Sequence, residues 1–250
     1  RERIIAIIPA RMGSTRFPGK VLASGTGKPL IQHVCQAAAR APCISEVLVA
    51  TDDPGVKAAV EGFGGRAVLT RPDHPSGTSR LAEAAAILGL APGDIVVNVQ
   101  GDEPEVEPET IEAAVRALQT CTAPVATVAV PFADGENPHD PNLVKVVRRA
   151  DGSALYFSRS LIPYIRDPAR GPWPPPLRHI GLYVYRRSFL ETYLTLPETE
   201  PEQAESLEQL RILAHGYKIA VAVCPAHGHG GIDTPEQYEA FVRRWKARRG

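Results

Sequence analysis

The sequence has few cysteines, and none of them stands in an arrangement typical of a metal site. The four are far apart and show neither CxxC nor CxH spacing: Cys35, Cys43, Cys121 and Cys224. This pattern argues against a structural zinc site and against a disulfide framework. It is typical of a protein in a reducing compartment, so we expect a cytoplasmic location.

Excess charge and long apolar runs are lacking as well. The 28 Lys and Arg residues balance 28 Asp and Glu residues, so the formal net charge is zero. No global charge attracts nucleic acid or an anionic membrane surface. No apolar run approaches the roughly 20 residues of a membrane-spanning helix, and no signal peptide is visible. We therefore expect neither nucleic acid nor membrane as a partner, and any anion must bind at a local cluster of cations.

Strand and helix patterns alternate in the first half of the chain. Strand patterns fall at 4–8, 47–51, 67–70 and 94–99, and helix patterns at 29–40, 55–60, 79–88 and 108–118. Strands separated by helices of this length form right-handed βαβ units around a mainly parallel sheet. The first half therefore predicts an α/β core.

The second half has a different pattern. Strand patterns at 143–148 and 154–158 flank an Asp-Gly turn, which predicts a hairpin, and the GPWPPP segment cannot be regular structure. The remaining predicted elements are a strand at 179–186, a helix at 205–215, a strand at 218–223 and a helix at 234–249. We predict one domain over residues 1–250, of the α/β class, with a smaller antiparallel excursion over roughly 134–190.

The first predicted strand runs into a segment rich in cations and glycines, IIPARMGSTRFPGK at 7–20. Ligands of open parallel sheets bind at the carboxyl ends of the strands. The two glycines let backbone N–H groups turn toward a ligand, and Arg11, Arg16 and Lys20 can hold phosphate oxygens. The segment is not a P-loop, because five residues separate its glycines and Val21 follows the lysine. It predicts a phosphate site of another kind, with a solvated basic turn as the alternative.

A second segment, RPDHPSGTSR, follows another short strand and leads into a helix. Ser76, Gly77 and Thr78 stand at the predicted helix start, where a hydroxyl and free backbone N–H groups suit an anion. The alternative is ordinary N-capping by Ser76 or Thr78.

Two acidic residues have no evident structural role in the sequence pattern. Asp102 follows the end of a buried strand in QGDEP, and Asp233 precedes a helix that Thr234 and Gln237 already cap in GIDTPEQ. Mg²⁺ prefers one or two carboxylates and completes its octahedron with phosphates and waters. We predict that both aspartates hold Mg²⁺, with ordinary polar turns as the alternative.

Taken together, these segments resemble the 3-deoxy-D-manno-octulosonate (Kdo) cytidylyltransferases, the CMP-Kdo synthetases. The blocks that carry the resemblance run in order from residue 4 to residue 240: IIPARMGSTRFPGK, ATDD, HPSGTSRLAE, VVNVQGDEP, NLVKVVRRADGSALYFSR, RHIGLYVYR, SLEQLR and GIDTPEQ. The opening block is similar to that of CMP-sialic acid synthetases and other sugar nucleotidyltransferases. The blocks QGDEP, YFSR, RHxG and LEQLR restrict the resemblance to the enzymes that act on Kdo.

The resemblance implies an enzyme that transfers CMP from CTP to the anomeric hydroxyl of Kdo and releases pyrophosphate, for lipopolysaccharide biosynthesis. It implies Mg²⁺ as cofactor and a Rossmann-like, mostly parallel sheet of the nucleotide-diphospho-sugar transferase fold. It also implies a homodimer whose contact lies on the antiparallel excursion.

The resemblance further assigns roles to individual positions. The CTP-binding positions are Ala10, Arg11, Ser14, Arg16, Lys20, Ser76, Gly77, Thr78 and Arg80. The Kdo-binding positions are Gln100, Arg159, His179, Tyr183, Glu208 and Gln209. The catalytic positions are Lys20, Asp102 and Asp233, and the two aspartates are the metal ligands.

Two alternatives remain open from the sequence. One is a cytidylyltransferase for another acidic sugar, such as sialic acid. The other is a nucleotide-binding module without catalytic activity, against which the retention of both aspartates argues. Taken singly, His179 also fits a structural histidine, and Glu208 and Gln209 fit a solvated helix face.

Overall fold

The computed structural model describes residues 2–13, 16–225 and 230–248. The strands of the described chain are β1 (Ile4–Ala10), β2 (Glu46–Thr51), β3 (Arg66–Leu69), β4 (Ile95–Asn98), β5 (Val125–Pro131), β6 (Lys145–Arg148), β7 (Ala154–Ser158), β8 (Leu177–Arg186) and β9 (Ile219–Val223). Its helices are α1 (Leu30–Ala38), α2 (Pro54–Gly62), α3 (Gly77–Ile87), α4 (Pro108–Gln119), α5 (Arg187–Thr195), α6 (Glu200–Glu205), α7 (Gln209–Ala214) and α8 (Pro235–Ala247). Short 3-10 turns occupy Lys20–Leu22 and Pro168–Arg170.

The chain divides into two compact units, and the first comprises Arg1–Glu112, Arg186–Leu190 and Gly228–Gly250. Its strands pair in the order β3-β2-β1-β4, and every pair is parallel. Apolar residues follow one another without alternation at 5–8 in β1 and at 95–97 in β4, and all of them are fully buried, as expected for strands covered on both faces. The predicted parallel α/β core is confirmed.

The second unit comprises Ala113–Tyr185 and Glu191–His227. In it, β5 pairs parallel to β9 and antiparallel to β8, and β6 pairs antiparallel to β7 and β8. The predicted hairpin is confirmed as β6 and β7. The fold is therefore mixed α/β, with the antiparallel strands in the second unit.

Three features differ from the sequence prediction. The strand β5 and the helix α5 were not predicted, although both contribute fully buried side chains. The single helix expected over 205–215 is wrong at its start. The structure ends α6 at Glu205, turns at Ser206 with φ of 50°, and begins α7 at Gln209.

Among the described residues, no helix is both long and apolar enough to cross a membrane.

Candidate active site

The ammonium group of Lys20 contacts both of the predicted metal carboxylates. Its Nζ donates to Asp102 Oδ2 at 2.7 Å, to the Ile232 carbonyl at 2.8 Å and to Asp233 Oδ1 at 3.4 Å. The side chains of Lys20 and Asp102 are 11% and 27% exposed, so water screens this pair less than it screens Asp233, which is 42% exposed. The structure thus brings together the three residues that the sequence assigns to catalysis.

Asp102 is held by the close approach of two strand ends. A Cβ atom on Gly101 would lie 2.8 Å from the carbonyl oxygen of Pro9, at the end of β1. Only glycine lets the backbone after β4 come this near. The Asp102 carbonyl also accepts the Ile232 N–H at 2.9 Å, which links the aspartate to the segment before α8.

Asp233 is held by the N-terminus of α8. Thr234 caps this helix by accepting the Gln237 N–H at 3.3 Å, and Gln237 Oε1 accepts the Thr234 N–H at 3.1 Å in return and the Asp233 N–H at 2.7 Å. This reciprocal capping box was predicted from the sequence and is confirmed. The carboxylate that it presents also pairs with Arg16 at 3.0 Å.

The donor set at this point fits Mg²⁺. Two carboxylates already share one cation, the lysine ammonium, and Mg²⁺ takes one or two protein carboxylates when phosphates and waters complete its shell. Across the described chain, no cluster of three or more His, Cys, Asp or Glu side chains suits a metal. The pair Asp102 and Asp233 therefore stays a predicted magnesium site whose remaining ligands would come from nucleotide and water.

The second predicted nucleotide segment lies next to β1. Ser76 caps α3 by accepting the Ser79 N–H at 3.2 Å, which confirms N-capping there. A Cβ atom on Gly77 would lie 3.8 Å from the Pro9 ring. The N-terminus of α3 and the end of β1 are therefore neighbours, as a shared phosphate site requires.

A histidine and a glutamate fix this second segment. The side chain of His74 is only 4% exposed, and its ring nitrogens bond Ser79 Oγ at 3.2 Å and the carboxylate of Glu83. Burial alone would raise the pKa of Glu83, but the bonds from His74 and from the Arg71 N–H hold it below its usual value. Sequence reasoning assigned neither His74 nor Glu83 a role, although both lie in the HPSGTSRLAE block.

The other predicted CTP residues lie in different surroundings. Arg80 is 4% exposed, donates to Thr70 Oγ1 at 2.6 Å and pairs with Asp52 at 3.2 Å, so its guanidinium is engaged in the protein interior. Thr78 is also buried, Ala10 ends β1 as a buried residue, and Arg11 is exposed. Ser14 lies outside the described residues. Their roles in CTP binding stay predictions.

In the second unit, Arg159 bonds to the turn between α6 and α7. Its guanidinium donates to the carbonyls of Glu205 at 2.6 Å, Pro141 at 2.9 Å and Ser206 at 3.3 Å. Gln209, which is buried, begins α7 three residues after Ser206, and Glu208 stands between them at the surface. The structure thus brings Arg159 to the same turn as two other predicted Kdo residues.

His179 and Tyr183 lie on β8 in contact with each other. Their ring centroids are 5.4 Å apart, and His179 Nε2 bonds Thr127 Oγ1 at 2.9 Å. Burial lowers the pKa of His179 to about 3, so the imidazole is neutral at physiological pH. Burial also raises the pKa of Tyr183 well above its usual value, with smaller contributions from nearby groups that include Glu208. Gln100, the remaining predicted Kdo residue, is half-buried in the first unit.

Known proteins are similar to this chain along nearly its whole length. A family model described as cytidylyltransferase matches residues 5–219. The 3-deoxy-manno-octulosonate cytidylyltransferase of Syntrophobacter fumaroxidans is 53% identical over 241 residues, which cover 96% of each chain. That of Polynucleobacter necessarius subsp. necessarius is 46% identical, over 98% of this chain and 96% of the relative.

A solved structure is similar as well. The structure of a CMP:2-keto-3-deoxy-manno-octonic acid synthetase complexed with CTP superimposes with a TM-score of 0.91 at 43% identity. The match covers 99% of this chain and all of the other.

Proposed function

This chain belongs to the 3-deoxy-manno-octulosonate cytidylyltransferase family, and from that membership we propose that it transfers CMP from CTP to the anomeric hydroxyl of Kdo. The observation that carries the proposal is the contact of the Lys20 ammonium with Asp102 and Asp233 at the carboxyl end of a parallel sheet. A pure binding module has no need of two carboxylates beside its phosphate-binding cations.

The proposed reaction is a displacement at the α-phosphorus of CTP. The sugar hydroxyl oxygen forms a bond to that phosphorus, the bond to the bridging oxygen breaks, pyrophosphate leaves, and the hydroxyl proton passes to solvent. Such a transfer depends on positioning and on positive charge around the phosphoryl oxygens. Lys20 and the exposed Arg16 and Arg11 provide that charge, and Gly77 and Thr78 at the start of α3 offer backbone N–H groups.

Magnesium belongs to the proposal through Asp102 and Asp233. When bound, it supplies positive charge beside the oxygens that become more negative during transfer. The two carboxylates would hold it, and Lys20 keeps both of them in place.

The guanidinium of Arg159 suits an acidic sugar. Its bonds to three backbone carbonyls fix its plane, and the carboxylates of Glu205 and Asp140 offset the positive charges of Arg159 and the buried Lys145. A guanidinium can bind a carboxylate through two parallel N–H groups at its edge. Glu208 and Gln209 on the adjoining turn carry the polar groups that we assign to the sugar hydroxyls.

The remaining parts of the proposal concern assembly and setting. We place the enzyme in the cytoplasm, in lipopolysaccharide biosynthesis, as a homodimer. Large apolar side chains exposed on the excursion support self-association, among them Tyr164 at 87% exposure and Trp173 at 48%.

Pyrophosphate release tests the proposal directly. The purified protein is given Mg²⁺ and Kdo with CTP, ATP, GTP or UTP in parallel, and CTP with sialic acid in place of Kdo. Release with CTP and Kdo alone is the expected result. Release with sialic acid instead would favour the other acidic sugar, and CTP binding without release under any pairing would favour the binding module.

A further inference from the structure

Lys145 is a fully buried lysine in the second unit. It lies on β6, in register with Ser158 of β7 and Arg178 of β8, and its side chain is 0% exposed. Its ammonium donates to the backbone carbonyls of Asp140 at 3.0 Å and of Arg159. Burying an ammonium group is unfavourable, so the carbonyls that satisfy it must hold their positions.

The charged groups near Lys145 shift its pKa in opposite directions. Burial lowers the pKa of its ammonium, the negative charges of Asp140 and Glu205 raise it, and the positive charge of Arg159 lowers it. Glu205 and Arg159 are thus the two charged groups that link Lys145 to the turn between α6 and α7.

Lys145 and Arg159 tie the segment at 140–141 to the end of β7. The Lys145 ammonium donates to the carbonyl of Asp140 in the first segment and to that of Arg159 at the end of the second. The Arg159 guanidinium donates to the Pro141 carbonyl at 2.9 Å. These three bonds restrain both the backbone and the guanidinium of Arg159.

Glu205 restrains the same arginine from the other direction. Its two carboxylate oxygens accept Ser158 Oγ and the Arg159 N–H, each at 2.7 Å. In return, Arg159 Nε donates to the Glu205 carbonyl at 2.6 Å. The end of β7 and the end of α6 are therefore joined through both the side chain and the backbone of Glu205.

We propose that Lys145 and Glu205 are positioning residues for the sugar acid. Together they orient the Arg159 guanidinium and set the turn that presents Glu208 and Gln209. Neither needs to touch the substrate, because each acts through Arg159. This inference rests on the proposed function, since it concerns recognition of the sugar and not of the nucleotide.

The first experiment compares Lys145→Met with Lys218→Met. Methionine removes the charge and keeps much of the length, and Lys218 is an exposed lysine of the same unit that pairs with Asp151. We expect Lys145→Met to raise the KM for Kdo at least about 10-fold, the effect of losing a charged hydrogen bond, with the KM for CTP changed less than about 2-fold. Lys218→Met should leave both unchanged.

The second experiment uses Glu205→Gln, which keeps the buried lysine and therefore tests the proposal even if Lys145→Met does not fold. Glutamine at position 205 can still accept the Ser158 hydroxyl, but its amide cannot accept the Arg159 N–H as well. We expect Glu205→Gln to raise the KM for Kdo roughly 3- to 10-fold while the KM for CTP stays constant.

A double-mutant cycle separates positioning from general damage. In the Arg159→Lys background, the further effect of Glu205→Gln on the KM for Kdo should largely disappear, because the group being positioned is already altered. Additive effects, equal changes in the KM for both substrates, or an unchanged KM for Kdo in Glu205→Gln would overturn the inference. Failure of the wild-type protein to use Kdo would instead overturn the proposed function, so the two failures are distinct.

Discussion

At the scale of single residues, Asp102 is the acid most closely bound by Lys20, with 2.7 Å between Nζ and Oδ2. Asparagine at this position keeps the shape and removes the negative charge that a metal requires. We expect Asp102→Asn to lower kcat about 100-fold or more at saturating Mg²⁺. Asp134→Asn, at an exposed aspartate, is the matched control and should retain wild-type kcat. Near-normal turnover in Asp102→Asn would rule out its assignment as a metal ligand.

The glycine before Asp102 has a separate, steric role. A methyl group at Gly101 would press on the backbone of Pro9 at 2.8 Å, so the strand ends must move apart. We expect Gly101→Ala to lower the free energy of unfolding by about 1–3 kcal/mol, as overpacking does, and to reduce kcat. Gly93→Ala, where the added Cβ meets nothing within 4 Å, should do neither. Urea denaturation and initial rates measure both effects, and equal stability of the two variants would contradict the argument.

His179 makes stability depend on pH. Its pKa is about 3 in the folded protein, against an ordinary value of 6.5, so between these values the unfolded chain binds more protons. The stabilisation is complete above pH 6.5 and is lost as the pH falls, at about 1.4 kcal/mol per pH unit. We expect His179→Gln, which does not titrate, to lose about 2 kcal/mol less than wild type between pH 7.0 and 5.0 in urea denaturation. Parallel losses in the two proteins would show that another group is responsible.

At the scale of elements, both ends of the helix α8 contribute to the candidate site. Its N-terminus carries Asp233, and near its C-terminus Arg244 pairs with Glu105 at 2.5 Å, three residues beyond Asp102. One helix thus presents Asp233 and anchors the segment that follows Asp102. Loosening the first turn of α8 should therefore affect metal binding as well as stability.

Thr234→Ala tests this link. Loss of the cap should lower the free energy of unfolding by about 1 kcal/mol. It should also raise the Mg²⁺ concentration needed for half-maximal rate, because Asp233 is no longer held. Asp53→Ala removes a comparable cap from α2, where Asp53 accepts the Val56 N–H at 2.9 Å, and should cost similar stability without changing the Mg²⁺ requirement. An identical Mg²⁺ dependence in the two variants would refute the link.

Elements with a local signal could be predicted from the sequence, and those that depend on distant contacts could not. Buried apolar strands and the Thr234 capping box follow from a few adjacent residues. The break between α6 and α7 does not, because Ser206 adopts a left-handed conformation that the sequence would signal only with Gly or Asn. Prolines stand at both ends of the strand β5, and prolines in a sequence normally indicate a loop. The segment between them nevertheless forms a strand of the sheet.

The candidate site shows the same division. Asp102 and Asp233 could be singled out from the sequence because one follows a strand end and the other precedes a capped helix, and the family resemblance adds Lys20 to them. The inward orientation of Arg80 could not, since it depends on Asp52, 28 positions earlier in the chain. Nor could the burial of Lys145, because an isolated lysine in a short strand normally indicates a solvent-facing position.

At the scale of the whole molecule, exposed apolar residues of the second unit are the evidence for self-association. Tyr164 and Trp173 lie on the excursion, and Leu194 is a similarly exposed apolar residue on α5. We expect the Tyr164→Ser, Trp173→Ser double variant to sediment as a monomer at micromolar concentration, where the wild-type protein sediments as a dimer. Leu194→Ser is the control and should remain dimeric. A dimeric double variant would place the contact elsewhere.

The position of the Lys20 ammonium also has a consequence for handling and inhibition of the protein. Since Lys20 contacts both acids and Arg16 also pairs with Asp233, two side-chain cations already balance the two acids, and the resting protein has little reason to retain a divalent ion of its own. We expect chelators to leave the stored protein intact and to act only during turnover, when the nucleotide brings its metal with it. A molecule that carries a positive group into this position would compete with the metal–nucleotide complex and not with the sugar.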